Sequence, residues 1–318
     1  MSTKTVGGGP KKILYALETA RKMGFRKSAK ALSAKNACKA CALGMGGQSG
    51  GMVDELGEFP AVCNKSVQAQ STDIQPAIPH EVLTHSLADF AELDGYDLEH
   101  LGRLDTPLYK PAGADRFEPV EWDFALARAA QRLAQTDPAR SMFYASGRSS
   151  NEAGFLFQLL ARAYGTNSVN NCSYYCHQAS GVGLGSTIGT GTATVEVADL
   201  KKCDMIVVIG ANPASNHPRF IHKLRGIRAR GGEVVMVNPA KEAGLVKFAA
   251  PKSAKSMLKG GDEIASAYLQ PRIGGDPALL LGLAKAVLEA GGENSAVLEG
   301  YTEDFAQYRK AVDAASWD

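Results

Sequence analysis

Residues 205–213 read Met205-Ile206-Val207-Val208-Ile209-Gly210-Ala211-Asn212-Pro213, an unbroken apolar run of strand length closed by glycine, asparagine and proline. A strand with one wet face alternates apolar and polar residues. A run without a polar break fits a strand covered on both sides, the condition of a parallel sheet between helical layers. Downstream, 218–230 has helical periodicity and Glu233-Val234-Val235-Met236-Val237-Asn238 reads as the next strand. Upstream, Met142-Phe143-Tyr144-Ala145 is a short buried strand, followed by Gly147-Arg148-Ser149-Ser150-Asn151-Glu152 and a helix running to Tyr164. A further helix covers 276–290 after Gly274-Gly275. Apolar strands alternating with helices predict an α/β fold with a doubly wound, mostly parallel sheet.

The rest of the chain is less regular. Residues 1–36 read as a glycine-rich tip and a basic helix over 11–34, and 37–74 as a cysteine-bearing region with little helical periodicity. Residues 75–140 read as a mixed α/β linking region that ends in an amphipathic helix over 122–135. The α/β region then occupies 141–318. With 45% hydrophobic and 21% charged residues, the 318-residue chain has ample material for one large or two medium domains. A net charge of +2 gives no electrostatic case for nucleic acid or an anionic membrane. No apolar run approaches the ~20 residues that span a bilayer. The first residues carry no export signal, so a cytoplasmic location is expected, where the six cysteines are reduced, metal-bound or catalytic rather than paired.

In a parallel α/β sheet, ligands bind outside the carboxyl ends of the strands. Gly210-Ala211-Asn212-Pro213, Asn238-Pro239 and Gly147-Arg148 all follow strands, and three polar loops on one rim predict a site for a large ligand. Each loop taken singly is also ordinary turn chemistry. Gly181-Val182-Gly183-Leu184-Gly185 lacks the spacing of a dinucleotide fingerprint, no acidic residue follows at a strand end, and there is no Walker A motif.

Two cysteine groups carry chemistry. Cys38-Lys39-Ala40-Cys41 sets two thiols two residues apart, with Cys63 further on. That spacing serves zinc, an iron–sulfur cluster or a redox disulfide, and the flanking Gly44, Gly46 and Gly47 argue against a thioredoxin-type motif. The polar loop 170–178 reads Asn170-Asn171-Cys172-Ser173-Tyr174-Tyr175-Cys176-His177-Gln178. Cys176 is a soft, anionic metal ligand and His177 a proton acceptor beside it. A buried structural cysteine next to a capping histidine is the plainer reading of the same pair.

The block 170–179, followed by Gly210-Ala211-Asn212-Pro213-Ala214-Ser215-Asn216-His217-Pro218, resembles the molybdopterin-dependent oxidoreductases of the formate dehydrogenase-like alpha-subunit type. Arg148-Ser149-Ser150-Asn151-Glu152, Gly165-Thr166-Asn167-Ser168-Val169-Asn170 and Gly274-Gly275-Asp276-Pro277-Ala278-Leu279 match further blocks of that family, in order, from about residue 37 onward. The resemblance implies a bis-molybdopterin guanine dinucleotide cofactor carrying molybdenum or tungsten, with Cys176 as the protein ligand to the metal and His177 as the proton acceptor. It places Arg148, Asn151, Glu152, Gly210, Asn212, Pro213, His217, Asn238, Pro239 and Asp276 in the loops that hold one half of that cofactor. It also implies a 4Fe-4S cluster on Cys38, Cys41 and Cys63, with Lys65 lying between cluster and pterin. The activity implied is two-electron oxidation of formate or a similar small substrate, with electrons leaving through the cluster to an acceptor protein.

Two departures from the family pattern stand out. The usual Cys-x-x-Cys-x-x-x-Cys has Met45 at its third position, leaving three candidate thiolates. Family members are also much longer, and their C-terminal domain holds the second pterin. The chain therefore reads as an N-terminal portion: a fragment, a frameshifted product or one half of a split enzyme completed by a separate C-terminal half. Two other readings remain open, a non-catalytic remnant and a simple metal-binding protein using Cys38, Cys41 and Cys63.

Overall fold

The computed structural model describes residues 6–35, 51–61, 63–147 and 149–317. The chain divides into two compact units: one runs from Lys11 to Leu200, and the other takes the residues before Lys11 together with those from Lys201 onward.

The chain opens with a two-residue strand, β1 (Gly7–Gly8), and two helices, α1 (Pro10–Met23) and α2 (Phe25–Ser33). The single basic helix read from the sequence is thus two, because Gly24 takes a φ of 87° that an α-helix cannot continue through. In the first unit α3 (Asn64–Asp73) follows Cys63. This stretch has no apolar stripe, so periodicity missed it. Its start is set by a polar contact instead: the Cys63 N–H donates to Ser66 Oγ at 3.1 Å, and Ser66 and Val67 are buried. Short helices α4 (His80–Leu83), α5 (Leu87–Ala91) and α6 (Gly95–Glu99) follow, with an antiparallel pair, β2 (Leu108–Tyr109) and β3 (Glu118–Pro119). The amphipathic helix α7 (Trp122–Ala134) then leads to β4 (Phe143–Ala145), α8 (Asn151–Tyr164), β5 (Val169–Asn171) and α9 (Cys172–Ile188). Strands β4 and β5 are parallel neighbours. Phe143, on β4, is buried against Phe157 of α8, with ring centroids 5.4 Å apart. The Tyr164 hydroxyl donates to the carbonyl of Thr136 at 2.6 Å, tying the end of α8 to the end of α7.

The second unit centres on a three-stranded parallel sheet ordered β10-β7-β6, with β6 (Met205–Ile209), β7 (Glu233–Val237) and β10 (Ala267–Leu269). Between these strands lie α10 (Pro213–Asn216), α11 (Pro218–Ala229), α12 (Ala243–Val246) and α13 (Ala254–Leu258), and β8 (Lys247–Ala249) and β9 (Asp262–Glu263) join β1 in a small second sheet. Helices α14 (Asp276–Glu289), α15 (Ser295–Tyr301) and α16 (Phe305–Asp313) close the chain. Ile221, Leu224 and Ile227 fall on one face of α11 and are fully buried against Val234 and Met236 of β7, with Val208, Leu245, Phe248 and Ile264 around them. Each such aliphatic side chain contributes about 1.5–3 kcal/mol on burial.

Candidate functional site

The carboxyl ends of β4 and β5 form one polar rim. Their ladder ends at the pair Ala145↔Asn171, and both chains then turn into helices. On the β4 side Ser150 caps α8, its Oγ accepting from Ala153 N–H at 3.2 Å, which places Asn151 and Glu152 in the first turn. On the β5 side Asn171 caps α9, its Oδ1 accepting from Ser173 N–H at 2.9 Å and Tyr174 N–H at 3.3 Å. Segment 170–178 is therefore a strand end and the start of a helix, not a loop. Asn171 supplies the missing cap and turns a polar stretch helical. Cys176 and His177 lie in the second turn of α9, both exposed. Gly181, Gly183 and Gly185 lie further along the same helix and form no phosphate-binding turn.

A second rim lies at the carboxyl ends of β6, β7 and β10. The Gly210 N–H donates to the carbonyl of Val237 at 2.9 Å, and the Asn238 N–H to that of Leu269 at 3.0 Å, so the loops after β6 and β7 start side by side. Gly210 has a φ of 64°, a conformation that glycine takes without penalty. Asn212 caps α10, its Oδ1 accepting from Ser215 N–H at 3.2 Å, with Pro213 buried as the first helical residue. His217 is exposed at the joint between α10 and α11. After β7, Asn238 Oδ1 accepts from Ala240 N–H at 2.9 Å, ahead of which sits the exposed Pro239. Asp276 opens α14, in the segment that follows β10.

The structure therefore brings Gly210, Asn212, Pro213, Asn238 and Pro239 to one strand rim and Asn151, Glu152, Cys176 and His177 to another, while Asp276 opens α14 beyond the end of β10. Sequence reading had put the loop after β4 on the same sheet edge as Gly210 and Asn238. Strand pairing corrects this: β4 is bonded to β5 in a sheet of their own, and β6 is bonded to β7. Arg148, Cys38, Cys41 and Met45 lie outside the described residues. Cys63 is half-buried at the start of α3, and Lys65 is exposed on that helix.

Sequence reading assigned no role to three residues that shape these rims. The Tyr268 hydroxyl donates to the Ala240 carbonyl at 2.7 Å and accepts from Glu242 N–H at 3.1 Å, and Gln270 Nε2 donates to the Pro239 carbonyl at 3.1 Å. Together they pin the loop after β7 from the neighbouring strand. No sequence spacing encodes that contact. The third is Cys172, whose Sγ accepts from Gly147 N–H at 3.1 Å and so joins the loops after β4 and β5. Its four-residue separation from Cys176 was the available signal, since such residues share a helix face.

The donor set fits a metal held mainly by a cofactor. Among the described residues, no group of three or more His, Cys, Asp or Glu could hold a metal ion. Cys176 presents one exposed thiol, which could serve as a single protein ligand to a metal carried by a cofactor. Each rim by itself offers groups that suit an anionic ligand: two helix starts flank the first, and at the second the Asn212 and Asn238 amides keep their N–H₂ donors while their oxygens serve as caps. For a cluster, Cys63 is the candidate thiol among the described residues. No helix among the described residues is long and apolar enough to cross a membrane.

The family model for molybdopterin oxidoreductases matches residues 103–313. An uncharacterized oxidoreductase of Mycobacterium tuberculosis (strain ATCC 25618 / H37Rv) is 36% identical over 294 residues, covering 90% of this chain and 37% of the relative. The protein YdeP of Escherichia coli (strain K12) is 40% identical over 234 residues, covering 70% and 31%. A Staphylococcus aureus (strain MRSA252) protein named as a presumptive formate dehydrogenase is 31% identical over 216 residues, covering 66% and 20%. Among solved structures, acetylene hydratase from Pelobacter acetylenicus has a similar fold, with a TM-score of 0.50 at 18% identity over 79% of this chain and 29% of that one. The chain thus spans little more than a third, at most, of these relatives' lengths. On the match over 103–313 and these ordered relatives, the chain belongs to the molybdopterin oxidoreductase family.

Proposed function

We propose that this chain contributes the metal-ligand half of a formate dehydrogenase-like active site, with Cys176 as the protein ligand to molybdenum or tungsten. The observation that carries the reading is the exposed Cys176-His177 pair in the second turn of α9, beside a strand rim where two helices begin. A bound bis-molybdopterin guanine dinucleotide would supply the two-electron acceptor for formate or a similar small substrate, and a 4Fe-4S cluster the exit for single electrons.

The chain's own residues do the following. Cys176 presents its sulfur from a helix whose start is fixed by the Asn171 cap, so the thiolate's place is set before any metal arrives. The His177 imidazole, next in sequence, takes a substrate proton on an unprotonated ring nitrogen. Asn212 and Asn238 offer amide N–H groups, and Gly210 keeps a side chain out of the space above the β6–β7 edge. The family resemblance assigns Asp276, His217, Asn151, Glu152 and Arg148 to cofactor binding, and Lys65 and Cys63 to the cluster. An electron-acceptor protein and a separate polypeptide supplying the remaining cofactor contacts are the partners this reading calls for.

The test is anaerobic expression of the full chain with molybdopterin maturation factors, followed by metal analysis and mass spectrometry of the released pterin. Molybdenum or tungsten with a guanine pterin, its metal–sulfur X-ray absorption signal reduced in Cys176→Ala, is the expected result. A preparation holding neither, or a Cys176→Ala variant whose metal–sulfur signal is unchanged, overturns the reading. Formate-dependent dye reduction, measured on the loaded protein together with any completing polypeptide, separates formate from other small substrates.

A further inference from the structure

Cys172 lies at the first position of α9, and its sulfur takes the place of a strand carbonyl. The β4–β5 ladder runs Phe143↔Val169, Tyr144↔Asn170, Ala145↔Asn171 and stops, because the β5 chain turns into α9 and has no further carbonyl to offer. Two residues past the end of β4, the Gly147 N–H donates instead to Cys172 Sγ at 3.1 Å. The approach depends on glycine: a Cβ at residue 147 would lie 2.6 Å from that sulfur.

This contact joins two segments that matter to the site. Gly147 belongs to the loop between β4 and the Ser150 cap of α8, the loop that leads to Asn151 and Glu152. Cys172 and Cys176 are four residues apart on one helix and therefore share a face, one turn separating their sulfurs. We propose that Cys172 is a positioning residue: its sulfur holds the loop after β4 beside the face of α9 that presents Cys176, and so fixes the spacing between the cofactor-lining loop and the metal ligand. This rests on Cys176 being the metal ligand. Cys172 itself touches no metal in this scheme, and it acts through Gly147.

The experiment uses the full chain and three variants, Cys172→Ala, Cys172→Ser and Gly147→Ala. The first removes the acceptor, the second keeps a polar acceptor, and the third keeps the sulfur but blocks its approach. Peptide-level amide exchange over 145–150 and the rate of Cys176 alkylation by iodoacetamide, mapped by mass spectrometry, are read on each. Losing a partly exposed hydrogen bond predicts about three- to tenfold faster exchange in that loop for Cys172→Ala and Gly147→Ala, with a parallel change in Cys176 alkylation, and substantial rescue by Cys172→Ser. Unchanged exchange in both disrupting variants means the clamp does not exist. Faster exchange with unaltered Cys176 alkylation means the loop is held without positioning the ligand, which also overturns the proposal. So does a Cys172→Ser variant that behaves like Cys172→Ala. Failure of the metal-ligand reading shows separately, as an unchanged metal–sulfur signal in Cys176→Ala with these exchange results standing.

Discussion

Leu224→Ala tests whether the α11–β7 core, which supports the rim of Gly210 and Asn238, is close-packed and belongs to one unit only. Leu224 is fully buried within the cluster of Ile221, Ile227, Val234 and Met236. The substitution removes three carbons, about 2.4 kcal/mol at ~0.8 kcal/mol per methylene, and leaves a cavity that adds to the cost. A total of about 3 kcal/mol follows, against less than about 1 kcal/mol for Leu283→Ala, whose side chain is 45% exposed on α14. The chain has two tryptophans, Trp122 in the unit from Lys11 to Leu200 and Trp317 in the unit that holds the residues from Lys201 onward, so each unit carries its own fluorophore. In a Trp122→Phe background, urea unfolding read by Trp317 should shift to lower denaturant by about 1.5 M for Leu224→Ala, taking a slope of about 2 kcal/mol per molar. In a Trp317→Phe background the Trp122 transition should stay where it was. A shift under about 0.5 M would show that the α11–β7 core is loosely packed. Equal shifts at both tryptophans would show that the two units unfold as one.

Three more predictions follow from single contacts. Asp262 is held below the usual carboxylate range by the Ser256 hydroxyl first and then by Arg225, whose Nε lies 2.7 Å from its Oδ2. A depressed carboxylate stabilises above the ordinary aspartate range and loses that contribution as pH falls through its folded value, so the advantage of wild type over Asp262→Asn should be about 0.5–1 kcal/mol at neutral pH and shrink as pH is lowered below the ordinary aspartate value of about 3.9. Urea midpoints at neutral pH and below that value check this, and a gap that widens on acidification refutes it. Tyr164→Phe removes the hydroxyl that joins α8 to α7 and should cost about 1–2 kcal/mol in the Trp122 transition; no measurable shift would mean the contact is idle. Gly210→Ala places a Cβ in the left-handed region with no atom within 4 Å, so its cost should be backbone strain of about 1–2 kcal/mol, with Gly210→Asn milder. Equal costs for the two would point to a hidden steric clash instead.

Most of the elements were legible because the physics that forms them is local. The run 205–209 became β6 and 233–238 became β7 to within a residue, since apolar β-branched residues have no competing helical stripe there. Helices α7, α11 and α14 likewise fell within one residue of their expected ends, and α8 ended at Tyr164 as expected but began at Asn151, inside the stretch read as its preceding loop. The misreadings share a cause as well. At Gly24 one positive φ split a periodic stretch, at Asn171 one side-chain cap turned a polar stretch helical, and at Ser66 one hydroxyl started a helix that has no apolar pattern. In each case a single residue's geometry outweighed the average over a window.

The candidate site divides along the same line. Sequence alone determined its chemistry: a thiol and an imidazole side by side at Cys176-His177, glycine, asparagine and proline after apolar strands, and an order of motifs that identified the family. Those are properties of residue type and spacing, which a chain carries before it folds. Which loops share a strand rim, and that Tyr268, Gln270 and Cys172 hold those loops in place, only the tertiary structure decided. Strand pairing and side-chain hydrogen bonds join residues 25 to 31 positions apart, as Gly147 to Cys172 and Pro239 to Gln270 are. No local pattern records such a partner, because the partner is chosen by which segments the fold brings within about 3 Å of one another.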